Sequence, residues 1–325
     1  MKEFKIAQPQ SLEQAVSLLS QEKTNYFLMA GGTDLLDEIK NKIISPEIVV
    51  DLKTVPDLST IRIDKEHVVI GALTRVADLA ENQIIRDNFP GLVQAALSLA
   101  TPQLRNMGTV GGNLCQRPRC WYFRDPDTLC RKKGGSRCYA FRGRNRYHAI
   151  LGGGICYIVH PSDLAPALIS LNAEIMIRGL SGEKNILKLE DFFSLPQNNV
   201  RKENILEAHQ ILSAIRIPLP KKEAKSTYYK FKERSTWDFA VVSAAINAVI
   251  SGGVIKDIMI VCGGVAPIPW RLQKAEEFIR GKKPTEELIR QGAKEALKDA
   301  RPLEENGYKM DLVEAVLYTA ISSMA

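Results

Sequence analysis

The 325 residues predict an α+β protein that divides into about two or three domains. Three observations lead there. The first 53 residues alternate short apolar strands with a helix, as a small α/β unit does. Beyond the prolines at Pro218 and Pro220, strand-like runs come first and amphipathic helices afterwards, an α+β order. With 45% apolar and 25% charged residues, the chain can bury a sizeable core in each part.

Ser11 with Gln14 forms a capping-box pattern, and Leu12, Ala15, Val16 and Leu19 recur at helical spacing, so a helix is expected after Ser11. The run Tyr26 to Ala30 is a short buried strand that enters the glycine turn Gly31-Gly32-Thr33-Asp34, and Ile48 to Leu52 is another strand. Alternating segments near 60–63 and 67–71 precede a helix expected to begin at Thr74, with Asp78 and Leu79 inside it. An apolar helix over Leu92 to Ala100 leads to a second glycine turn, Gly108-Thr109-Val110-Gly111-Gly112-Asn113. After Pro220 the expected strands are 227–232, 239–250 and 255–262, followed by helices starting near Arg271, Pro284 and Asp311. No apolar run approaches the roughly 20 residues of a membrane span.

Glycines after a strand let the backbone approach a phosphate, because no Cβ intervenes and successive amides can converge on the anion. Two such turns suggest a dinucleotide, although each alone is equally well a tight turn. Neither matches the Gly-x-Gly-x-x-Gly fingerprint, and no P-loop lysine follows, which disfavours a nicotinamide Rossmann unit.

Residues 117–146 hold ten cations against Asp125 and Asp127, a segment charge of +8 in a chain of +7, so the remainder is near neutral. Within and beside this segment stand Cys120, Cys130, Cys138 and Cys156, spaced C-x9-C-x7-C-x17-C, with Cys115 just before and Cys262 far downstream. Four thiolates on an iron-sulfur core form a net anion that surrounding cations stabilise. Structural zinc usually calls for paired knuckles, a spacing that Cys115 and Cys120 alone satisfy. Disulfides require an oxidising compartment, yet MKEFKIAQPQ has no export signal, so cytoplasm is the expected location unless a partner's signal carries the chain to the periplasm. Trp121, Tyr122, Phe123, Tyr139 and Phe141 could stack on bases or equally shield a cluster, and confinement of the charge to one cysteine loop argues against nucleic acid. His67, His148, His160 and His209 are scattered, with no hydrolytic constellation and no catalytic residue expected on this chain.

The phrases FLMAGGTDLL, TPQLRNMGTVGGNL, HPSDLAPALISL, FKERSTWDFAVVSAA and GGVAPIPWRL together resemble the FAD-binding subunits of molybdenum hydroxylases along the whole chain. That resemblance implies a two-subdomain FAD-binding fold similar to vanillyl-alcohol oxidase, over 1–53 and 54–220, and a C-terminal α+β domain over 221–325 resembling that of carbon monoxide dehydrogenase flavoproteins. The insertion at about 115–156 is similar to that of members with an extra 4Fe-4S cluster, the bacterial aldehyde oxidoreductase flavin subunit and the 4-hydroxybenzoyl-CoA reductase medium subunit, with RCWYFRD and NRYHAILGGG closer to the former.

Carried over motif by motif, Leu28, Met29, Ala30, Gly31, Gly32, Thr33, Asp34 and Leu35 correspond to the pyrophosphate loop, with Leu73 and Thr74 by the flavin ring. Gly108, Thr109, Gly111, Gly112 and Asn113 correspond to the second FAD loop, and Ser162 with Asp163 to a motif whose carboxylate binds cofactor hydroxyls. Leu212 and Lys232 match positions near the isoalloxazine, where a cation can stabilise an anionic reduced flavin. Bland alternatives stand beside three of these: Asp163 as a helix cap, Leu212 as core and Lys232 as a solvated strand charge. Cluster ligands are implied at Cys120, Cys130, Cys138 and Cys156, leaving Cys115 spare and Cys262 in the core. The longer stretch after Cys138, with Gly152-Gly153-Gly154, departs from 4-hydroxybenzoyl-CoA reductase and bears most on Cys156. Implied partners are a molybdopterin-binding large subunit, a 2Fe-2S small subunit and an external acceptor or donor such as ferredoxin, quinone, oxygen or NAD. The other class of reading is a self-contained flavin oxidase with a structural metal loop.

Overall fold

The computed structural model describes residues 1–21 and 24–324; Glu22, Lys23 and Ala325, which fall in the expected 1–53 and 221–325 units, lie outside the described residues. Three sheets organise the chain. Strands β1 (Lys5–Ala7), β2 (Tyr26–Met29) and β3 (Ile48–Asp51) make a parallel sheet in the order β1-β3-β2. Helix Leu12–Leu19 crosses between β1 and β2, its start fixed by the Ser11 hydroxyl accepting from the Gln14 amide at 3.2 Å. Its Ala15, Val16 and Leu19 pack with Val50, Leu52, Leu73 and Ile211. This small core therefore already contains residues of the next sheet, so the two layers are joined by burial.

That next sheet is antiparallel, in the order β4-β5-β8-β6-β7, from β4 (Ile61–Asp64), β5 (His67–Gly71), β6 (Glu174–Arg178), β7 (Lys184–Lys188) and β8 (Ile211–Pro218). The helix expected at Thr74 starts two residues later, at Val76, because Thr74 is spent on a turn in which its amide donates to the Gly71 carbonyl. Helices Val76–Glu81, Pro90–Ser98, Val110–Cys115 and Leu164–Ser170 bury Leu79, Leu92, Leu114 and Leu168 against the sheet. The register of β6 against β8 shifts at one place. Met176 opposes Ala214 and Ile177 opposes Leu212, which leaves Ser213 as an extra residue. Ile211 and Leu212, just before the bulge, line one cleft, while Ile211 packs in the small N-terminal core and Leu212 in that of this sheet.

The last part is antiparallel, β12-β11-β10-β9, from β9 (Ala224–Phe231), β10 (Val242–Ser251), β11 (Val254–Gly263) and β12 (Trp270–Arg271). Helices Gln273–Ile279, Glu286–Ala296 and Lys309–Ser322 cover it, and Ile150 and Leu151 from the cysteine-bearing segment enter the same core. This is the α+β architecture read from the sequence, strands before helices. Among the described residues, no helix is long and apolar enough to cross a membrane.

The two glycine turns meet. A Cβ on Gly31 would collide with the carbonyl oxygen of Met107, one residue before Gly108, and Gly32 has a left-handed φ of +73°. Gly31→Ala should therefore lower stability by about 1–3 kcal/mol or more, since backbone rather than a movable side chain fills the space. Gly252, at φ +59° with nothing near its would-be Cβ, is the control: Gly252→Ala should cost only about 1–2 kcal/mol from backbone conformation. Urea midpoints at unchanged m-value measure both. Equal losses in the two variants would contradict the packed-turn reading.

Candidate functional site

The cleft beside the paired turns encloses about 370 Å³, within the range of small-molecule sites. Its walls come from several separate stretches of the chain. Leu28, Ala30 to Leu35 form one side, Gly108, Thr109, Gly111, Gly112 and Asn113 the second, Leu73 with Ile211 and Leu212 the floor, and Asp163 a polar end. The amides of Gly31, Gly32, Thr33 and Asp34 have no acceptor among the described residues, so four donors cluster where an anionic group would sit. Across from them, Thr109 caps its short helix by accepting from the Gly112 amide at 3.1 Å.

Asp163 is held from two directions. The Tyr228 hydroxyl donates to its Oδ1 at 2.6 Å and the Lys230 ammonium to its Oδ2 at 2.8 Å, with Lys230 and Asp163 side chains 2% and 5% exposed. Burial first, and then the neighbouring Asp163 charge, push the Tyr228 phenol well above its ordinary range, so it stays a donor. Each carboxylate oxygen keeps a second lone pair available to a hydroxyl in the cleft.

The first turn is fastened to the cysteine segment through Asp34. Its carboxylate accepts from the Arg117 amide at 2.7 Å, from Arg119 at 2.8 Å and from Arg124 at 2.7 Å. Arg124 also reaches Asp37 at 3.0 Å. A second joint lies at Glu203, which is paired with Arg117 and Lys132, both at 2.5 Å. Glu38, buried beneath this cluster, is raised to about 7 chiefly by burial, with Arg117 and Arg124 opposing the rise.

Cys120, Cys130, Cys138 and Cys156 line one small cavity together with Lys132, Tyr122, Tyr139 and His148. The Cys138 thiol falls to about 6, chiefly through a hydrogen bond with Cys156, whose own thiol is pushed upward by the same bond and by burial. Burial pushes Cys120 up to about 12, and the His148 ring nitrogen Nε2 stands 3.2 Å from its sulfur. Among the described residues, no three histidine, cysteine or acidic side chains are close enough to hold a single metal ion. Cys115 instead lines the glycine-turn cleft, and Cys262 is buried in β11; burial raises both to about 12. A further cavity of about 400 Å³ runs between the two sites, sharing Arg119 and Phe239 with the cleft and Cys120 and His148 with the cysteine cavity.

Four expected cleft residues lie elsewhere, each for a local reason. Met29 alternates with Leu28 along β2 and does not line the cleft, its sulfur lying near Gly32. Thr74 is fully buried under its turn. The Ser162 hydroxyl is engaged with Asn113 at 2.5 Å and with the Ala165 amide at 2.9 Å, so it orients Asn113 from behind. Lys232 lies past the end of β9, whereas Lys230, inside the strand, faces Asp163. Nothing in one sequence distinguishes two lysines of equal strand parity. Besides its free amide, Asp34 acts through its carboxylate as an acceptor, and Asp163 makes no side-chain cap to its helix. Trp237, exposed at 63% and at a left-handed φ of 50°, lines the cleft rim and was not singled out in the sequence.

Residues 2–121 and 142–220 match the family described as the FAD binding domain in molybdopterin dehydrogenase, and residues 227–324 match the carbon monoxide dehydrogenase flavoprotein C-terminal domain. The unmatched stretch between the first two segments contains Cys130 and Cys138. The chain is 33% identical over 314 residues, 94% of its length and 93% of the relative's, to the aldehyde oxidoreductase FAD-binding subunit PaoB of Escherichia coli. It is 28% identical to the carbon monoxide dehydrogenase medium chain of Hydrogenophaga pseudoflava, covering 93% of this chain and 88% of that one. A solved structure of carbon monoxide dehydrogenase from the same organism superposes with a TM-score of 0.78 at 26% identity, covering 99% of this chain and 97% of that chain.

Removing the Lys230 charge leaves a buried carboxylate unpaired, a change that typically costs about 3–5 kcal/mol. Lys230→Met should therefore weaken FAD binding to the apoprotein about tenfold or more, and Tyr228→Phe by less, because a neutral hydrogen bond contributes less than a charge pair. Lys232→Met, outside the cleft, should change affinity about twofold or less. Flavin fluorescence titration measures all three, and a larger loss for Lys232→Met than for Lys230→Met would reverse the assignment.

Proposed function

The chain belongs to the family of FAD-binding medium subunits of molybdenum-dependent hydroxylases, and we propose that it holds FAD and one 4Fe-4S cluster as the electron-transfer subunit of an aldehyde-oxidising complex. Carrying this reading is the meeting of the two glycine turns around one cleft with a tethered carboxylate at its end. Four unpartnered amides suit a pyrophosphate, the carboxylate suits ribityl or ribose hydroxyls, and Leu73, Ile211 and Leu212 offer an apolar bed for a planar ring. Bound FAD supplies exchange of electrons either in pairs or singly, the property that joins two-electron substrate chemistry to one-electron carriers.

For the second group, the support is geometric and electrostatic. The four thiols line one cavity. A cubane takes four cysteines, one on each iron. Such a cluster supplies a one-electron site. Arg131 and Lys132 line this cavity, Lys132 also pairing with Glu203, and they set positive charge beside the four thiols. Partners would be a molybdopterin-binding large subunit that carries the aldehyde chemistry, a 2Fe-2S small subunit, and an external electron acceptor or donor. The chain's own residues bind and orient the flavin, line the thiol cavity with Tyr122 and Tyr139, and link the cleft to the cysteine segment through Asp34.

Anaerobically purified complex should contain about four irons per copy of this chain beyond those of the 2Fe-2S subunit, with FAD released by acid. Ser replacement of Cys120, Cys130, Cys138 or Cys156 should remove or convert that iron signal, while Cys115→Ser and Cys262→Ser should retain it. The isolated chain should show no flavin reduction by an aldehyde until the partner subunits are added. Zinc in the loop would remove the cluster proposal, and stoichiometric flavin reduction by aldehyde in the partner-free chain would favour a self-contained oxidase.

A further inference from the structure

We infer that His148 is a positioning residue for the cluster, donating an N–H hydrogen bond to the Cys120 sulfur and thereby raising the cluster's reduction potential. This rests on the 4Fe-4S reading above. The His148 ring is 3% exposed and its Nε2 is 3.2 Å from Cys120 Sγ. A sulfur that ligates iron is a thiolate and an acceptor only, so the imidazole nitrogen facing it supplies the proton. Hydrogen bonds to cluster sulfurs withdraw electron density and favour the reduced form, as outer partners of metal ligands generally do.

The ring's place is built by distant parts of the chain. Its indole neighbour Trp121 meets it edge-on at 5.3 Å. The His148 amide donates to the Asn145 carbonyl at 2.9 Å, and the His148 carbonyl accepts from Asn306 and from Lys309, each at 3.1 Å. Asn145 is in turn clasped reciprocally by Glu305, whose side chain accepts from the Asn145 amide at 2.8 Å and whose amide donates to Asn145 Oδ1 at 2.9 Å. Lys309 is fully buried and its ammonium is directed at the carbonyls of Tyr147, His148 and Gly264 rather than at a carboxylate. Burying an ammonium on neutral acceptors is costly. Its effect here is to lock residues 147 and 148 against the C-terminal domain, which fixes the imidazole beside Cys120.

The test is an EPR-monitored redox titration of the intact complex. His148→Phe keeps an aromatic ring against Trp121 but removes the donor. The expected result is full iron content with a lower midpoint, by about a tenfold change in the oxidised-to-reduced ratio at fixed potential, about 59 mV for one electron. His148→Gln restores an N–H and should recover part of the shift. A wild-type midpoint in the iron-replete His148→Phe protein would overturn the inference. Should that variant lose its iron, wild-type protein labelled with ¹⁵N-histidine decides the matter: pulsed EPR of the reduced cluster should detect a coupled histidine nitrogen, and its absence would overturn the inference. Iron-free wild-type protein would instead refute the cluster reading on which it rests.

Discussion

The carboxylate of Asp34 is the joint on which the rest of the site depends. It closes the first glycine turn, and it accepts from the Arg117 amide and from the side chains of Arg119 and Arg124, which flank Cys120. One acidic group therefore ties the cleft to the segment that carries Cys120. The pairing is partly buried, at 18% exposure for Asp34 and 12% for Arg124, so solvent screens it less than a surface ion pair. Glu203 makes the corresponding joint on the other side, tying Arg117 to Lys132 between Cys130 and Cys138. The loop's high positive charge is in this way divided: part of it is neutralised by fold-holding carboxylates, and part surrounds the thiols.

The architecture follows the same logic of shared surfaces. The small N-terminal core takes in Leu73 and Ile211 from the antiparallel sheet, and the C-terminal core takes in Ile150 and Leu151 from the cysteine-bearing segment. Tyr228 and Lys230 of β9 reach back to Asp163 in the cleft. The C-terminal part therefore contributes to both sites: to the cleft through Lys230 and Trp237, and to the cysteine cavity through the Lys309 and Asn306 tethers of His148. Such sharing gives a physical reason for the two proposed sites to lie on one chain.

Local signals in the sequence were sufficient wherever local chemistry decides the structure. The Ser11 cap, the strand before Gly31, the glycine turns and the strands-then-helices order are all set by neighbours in sequence, and the structure has them. The convergence of the four cysteines on one cavity, expected from resemblance, is found across a segment with hardly any regular structure. What escaped was set by tertiary pairing. Strands β6, β7 and β8 were not read: β7 is largely exposed, with little hydrophobic pattern, and β8 is buried along most of its eight residues and so lacks a period-two signature. The bulge at Ser213 depends on register against β6 and leaves no mark in a single sequence. Likewise Lys230 and Lys232 share strand parity, and only the end of β9 separates their roles. The role of the Asp34 carboxylate was not read, because its three arginine-segment partners lie more than 80 residues away.

The central claim is that the two cradles are coupled through Asp34, and a thermodynamic cycle on FAD affinity tests it most directly. Dissociation constants would be compared for the wild-type chain, Asp34→Asn, Cys138→Ser and the double variant. Coupling through this joint predicts that each single change weakens FAD binding and that the double variant is little weaker than the worse single one, an interaction of about 1 kcal/mol or more. Independent factors that multiply in the double variant would contradict it, and would leave the flavin cleft and the cysteine loop as separate sites on one chain.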